Sequence, residues 1–95
     1  MYDSAEDVAA KLPCTGTRHL SNAFFGQPGV RCFMIGGASG EDSIEIIASE
    51  GDDFDALVER GAHGRVFFLV GDGFIATGDP SLLGKAHRFV GGEFR

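Results

Sequence analysis

Tryptophan is absent from this sequence, tyrosine occurs once and proline three times, against nine phenylalanines. Aromatic rings without polar handles are packing material, so a platform for stacking nucleobases is not expected. Basic residues are scarce as well: eight Lys plus Arg stand against fourteen Asp plus Glu, for a net charge of −6 and a pI of about 4.8. That balance repels a phosphate backbone, and direct nucleic-acid binding is not expected. Long apolar runs are missing too. Stretches such as VFFLV (66–70) are far too short to cross a bilayer, so no membrane partner is expected. The start, MYDSAEDVAAKL, carries acids and has no cationic stretch before an apolar run, unlike a signal peptide. A cytoplasmic protein is expected. There are only two cysteines, Cys14 and Cys32, in no C-x-x-C pattern. They read as two buried or free thiols in a reducing compartment rather than as a disulfide.

What is abundant is glycine, with 15 residues in 95 where about 7% is usual. No G-X-Y period or Gly/Ser run accompanies it, so it marks tight turns. An apolar share of 43% and a charged share of 23% belong to a folded chain, and the length suits one domain spanning residues 1–95.

Ser4 or Asp3 can cap a helix over 4–12, in which Ala5, Val8, Ala9 and Leu12 share a face and Pro13 ends the run. TRHLSNAFFG (17–26) reads as a second, short helix stopped by Gly26, followed by a turn at Gln27-Pro28-Gly29. VRCFMI (30–35) and SIEIIA (43–48) are rich enough in β-branched and aromatic residues for two strands of a long-looped hairpin. DDFDALVERG predicts a helix at 53–60. GRVFFLV (64–70) and FIAT (74–77) flank Asp72-Gly73, the strongest local signal for a tight hairpin. In DPSLLGKAHRFVGG, Asp79 caps a last helix and Pro80 takes its first position. Gly84 within it costs about 1 kcal/mol.

The order α(α)-ββ-α-ββ-α predicts an α+β domain: an antiparallel sheet of about four strands, made of two hairpins, under three or four helices. VFFLV has no polar alternation and needs cover on both faces, from helices or from a second copy in a homodimer.

Few residues carry a chemical signature. The glycines of IGGASGEDS do not follow G-x-G-x-x-G, no Lys-Ser/Thr follows them, and Gly40 directly after Ser39 breaks G-x-S-x-G. The segment reads as a hairpin loop. Cys14 with His19 could form a thiolate–imidazolium pair, but a core cysteine and a surface histidine explain the same residues. His19, His63 and His87 fall in no H-x-x-x-H, so neither a metal nor a cofactor is expected. Asp72 and Asp79 have turn and cap roles. His87 lies roughly 10 Å along the helix from Asp79 at about 1.5 Å per residue, too far for a catalytic pair.

The segment 41–55 holds seven of the fourteen acids and no base: Glu41, Asp42, Glu45, Glu50, Asp52, Asp53 and Asp55. Asp52, Asp53 and Asp55 favour a helix N-terminus, while the other four have no such role. Together they suggest a docking surface for a protein partner whose complement is basic. The expected function is a small, non-enzymatic binding or accessory protein, regulatory or inhibitory in character. The alternatives are a small-molecule-sensing domain with Phe-rich walls and a small hydrolase or transferase using Asp/His or Cys/His.

Overall fold

The computed structural model describes residues 4–24, 27–35, 43–48 and 67–95. Helix α1 (Ala5–Ala10) is followed by strands β1 (Gly16–Phe24), β2 (Gln27–Phe33) and β3 (Ser43–Ala48). After β4 (Phe68–Gly71) and β5 (Phe74–Gly78) come helix α2 (Pro80–Val90) and the two-residue strand β6 (Glu93–Phe94). All neighbouring strands are antiparallel, in the order β1-β2-β3-β5-β4-β6. Among the described residues the chain is thus mostly sheet, with six strands and two helices. The expectation of about four strands under three or four helices is overturned.

The largest correction concerns TRHLSNAFFG, which is a strand and not a helix. Thr17, His19 and Leu20 lie opposite Cys32, Val30 and Gly29 of β2, with a shift in register between Leu20 and Phe24. Thr17, Ser21 and Asn22 are weak helix formers, and the apolar spacing of Leu20 and Phe24 is too sparse to hold a helix against a ladder of cross-strand pairs. Gln27-Pro28-Gly29, expected as a turn, lies within β2. Strand β6 follows the last helix, and nothing in its two residues marks a strand. It is defined by its pairing to β4, Leu69 with Phe94 and Val70 with Glu93. The predicted helix at 53–60, the loop 36–42 and residues 64–66 lie outside the described residues.

Elsewhere local rules hold. The Ser4 side chain accepts from the Asp7 N–H and starts α1. Asp79 accepts from the N–H groups of Ser81 and Leu82, with Pro80 next to it, and starts α2. Asp72 and Gly73 form the two-residue turn between Gly71 and Phe74, and Gly73 takes φ +91°.

One face of the sheet packs on both helices. Val30, Cys32, Ile44, Ile46, Leu69, Phe74 and Ala76 bury against Val8, Leu12, Leu82, Leu83 and Ala86. Each of the larger side chains contributes roughly 1.5–3 kcal/mol of hydrophobic stabilisation. On the opposite face Ile47, Phe68, Val70 and Ile75 form a second buried cluster. β4 is therefore buried on both faces, as its unbroken apolar run requires.

The cysteines also depart from expectation. Cys14 and Cys32 form a disulfide with Cα atoms 5.4 Å apart. Their separation of 18 residues looked large in sequence, but β1 folds back along β2 and sets Gly16 opposite Phe33 and Thr17 opposite Cys32. The bond ties the segment after α1 to the second strand.

Candidate functional site

The described residue of the acidic segment, Glu45, sits on β3 between Arg31 of β2 and Thr77 of β5. Its carboxylate is 3.9 Å from the Arg31 guanidinium, and its side chain is only 14% exposed. A carboxylate so enclosed is held by its neighbour rather than offered to a partner. Glu41, Asp42, Glu50, Asp52, Asp53 and Asp55 lie outside the described residues.

The groups considered for catalysis are not brought together. Cys14 is bonded to Cys32 and has no thiol to ionise. Asp72 lies in the β4–β5 turn. Asp79 caps one end of α2, while His87 near the other end packs its ring on Phe94, with centroids 5.1 Å apart. Among the described residues no three His, Cys, Asp or Glu side chains cluster as metal ligands would.

The geometry instead points to the space between α1 and β1. Among the described residues β1 is an edge strand, paired with β2 on one side, and Gly16 to His19, Ser21 and Asn22 are exposed. Side chains alternate along it. Thr17 and His19 share the helix face with their partners Cys32 and Val30, and Ser21, where the register shifts, borders the same space. On that face Glu6, in the first turn of α1, reaches across to β1. His19 Nδ1 is 3.0 Å from Glu6 Oε1, and both side chains are more than half exposed.

The carboxyl of Glu6 is held below its ordinary value. The main cause is a hydrogen bond from its own backbone N–H, with smaller help from the Ser4 hydroxyl and from His19, against a small opposing effect of burial. Both Ser4 and His19 therefore address Glu6. A serine-nucleophile relay needs the histidine between the hydroxyl and the acid, and this trio does not have that order.

The Glu6–His19 bridge divides the space in two. A cleft of about 650 Å³ opens on the side of Leu20, Ser21 and Pro28. A second, of about 410 Å³, opens on the side of Thr17, Ala10, Leu12 and Cys14. Among the described residues no phenylalanine lines either cleft. Phe33 lines a separate recess of about 550 Å³ with Thr15, Gly16, Met34 and Ile35, and Phe74 is packed into the core.

Sequence reasoning missed this place. Glu6 was read only as a first-turn acid of a capped helix, and His19 was placed on a helix. Thr17-Arg18-His19-Leu20-Ser21-Asn22 is polar at both parities, so no alternation marks the strand or its two faces.

No family model, curated protein or solved structure matches this chain. Its function is therefore approached from the site alone. Among the described residues no helix is long and apolar enough to cross a membrane.

Proposed function

We propose that the protein is a small non-enzymatic binding protein that engages a partner by accepting an extended segment of it along β1. The observation that carries this reading is the long exposed edge of β1 beside two clefts roofed by α1. An edge strand presents unpaired N–H and C=O groups, and strand addition satisfies them while alternate side chains enter neighbouring recesses. Four such backbone bonds at roughly 1 kcal/mol each give about millimolar affinity, so the clefts must contribute the rest.

The net charge of −6 favours a basic partner. We assign Glu41, Asp42, Glu50, Asp52, Asp53 and Asp55 to long-range attraction of such a partner, and Glu45 to holding Arg31. The Cys14–Cys32 bond favours an oxidising working compartment, in place of the cytoplasmic expectation. Thiol labelling of the protein in its source cells would refute that placement by finding both cysteines free.

The edge itself is tested with proline. Successive residues of β1 send their N–H alternately towards β2 and outwards, so one of Thr17→Pro and Arg18→Pro keeps the β2 ladder and its melting temperature. That same variant should lose the partner captured by the wild-type protein. Full partner binding by the thermally unaffected variant would remove strand addition from consideration.

A further inference from the structure

Resting on strand addition at β1, we infer that the accepted segment is basic, with the pattern apolar–x–Lys/Arg–x–apolar. Thr17 and His19 are successive helix-face positions of β1, about 6.6 Å apart, and Ser21, where the register shifts, borders the larger cleft. A strand laid beside β1 places its own residues i, i+2 and i+4 against these three positions. The outer two then stand over the two clefts and the middle one over the Glu6–His19 bridge.

Each position selects a chemistry. One cleft is walled by Ala9, Leu12, Val30 and the disulfide-bonded Cys14, and the other by Ala5, Pro28 and Ala48. Both suit an aliphatic side chain of modest size. At the centre, Glu6 offers a half-exposed carboxylate that is held ionised by its backbone and by Ser4 as well as by His19. His19 takes one Glu6 oxygen and is itself largely exposed, so it can turn aside. A Lys or Arg at the middle of the added strand lies one cross-strand step from His19 and within reach of that carboxylate. An acid there would be repelled by it.

The test is selection from a phage-displayed library of random heptapeptides on the intact, disulfide-bonded protein and on its Glu6→Gln variant. The wild type should enrich segments with a central Lys or Arg and aliphatic residues two positions to either side. The variant should keep the aliphatic preference and lose the central cation. In fluorescence anisotropy, reversing the central cation to Glu in a selected peptide should weaken binding to the wild type roughly three- to tenfold and leave binding to the variant nearly unchanged. Enrichment without a central cation, or a cation preference that persists in Glu6→Gln, overturns this inference and leaves strand addition standing. Enriched segments with helical three- and four-residue spacing, no enrichment at all, or self-association of the protein through β1 in place of peptide binding would overturn both.

Discussion

Reducing the Cys14–Cys32 bond should cost this domain a large part of its stability. The bond closes a chain segment with a separation of 18 residues. Loop closure of that length removes about 11 cal/mol/K of entropy from the unfolded chain, or about 3 kcal/mol at 25 °C. A domain of this size has only about 5–15 kcal/mol in total. At roughly 4–8 °C per kcal/mol, the melting temperature should fall by roughly 12–24 °C. Reduction tests this more cleanly than substitution, because both sulfurs stay in place and the packing around the buried Cys32 keeps its volume. The protein is unfolded with a dithiol, refolded and compared with the oxidised form by circular dichroism melting and urea titration, with thiol counts taken on both. The urea dependence should steepen on reduction, since the freed unfolded chain exposes more surface. A loss below about 1 kcal/mol at full reduction would refute the reasoning from unfolded-state entropy. Two free thiols in the untreated protein would refute the bond itself.

Gly84→Ala should stabilise the protein by about 0.5–1 kcal/mol, because a Cβ at this helical position meets nothing within 4 Å; no gain in a thermal melt would contradict it. Gly71→Ala should destabilise by about 1–3 kcal/mol, since the added methyl would run into the Phe74 ring packed over that strand end, and an unchanged urea midpoint would count against that packing. Asp79→Ala should cost about 1–2 kcal/mol through the lost cap on the Ser81 and Leu82 N–H groups, with Asp79→Asn much milder in the same assay. The carboxyl of Glu6 is more acidic in the folded state, so its contribution is present above the unfolded-state value and is lost as pH falls through the folded-state one. The melting-temperature gap between wild type and Glu6→Gln should therefore be full above about pH 5 and narrow as pH falls below the ordinary glutamate range; a gap that does not narrow on acidification would contradict the hydrogen bonding of Glu6 by its own backbone, Ser4 and His19.

The parts of the fold legible in sequence are those settled by a few adjacent residues. Ser4 with Asp7, Asp72-Gly73 and Asp79-Pro80 each satisfy or constrain neighbouring backbone groups, and each does its predicted work. The β2–β3 and β4–β5 hairpins follow from their β-branched and aromatic runs. What could not be read locally depends on partners distant in the chain. β1 exists because β2 offers it a ladder, and β6 because β4 does. The disulfide needs the β1–β2 register before its two halves meet. The same holds for the site: Glu45 looked like one more surface acid until Arg31 was placed beside it, and Glu6 acquired a role only when His19 moved from a helix to the facing strand.

The two rims of the sheet are unequal, and this limits how the molecule can assemble. On the far rim β4 is sealed by the chain's own tail, with Phe68 and Arg95 exchanging backbone hydrogen bonds, and the sealing strand is only two residues long. Head-to-tail stacking of sheets into filaments needs an open rim at both ends of every copy. Among the described residues the β1 rim is the longer of the two and the better template for another strand. Under the strand-addition proposal, a segment taken up at β1 would also cover that rim against aggregation, so binding and protection of the sheet would be one event.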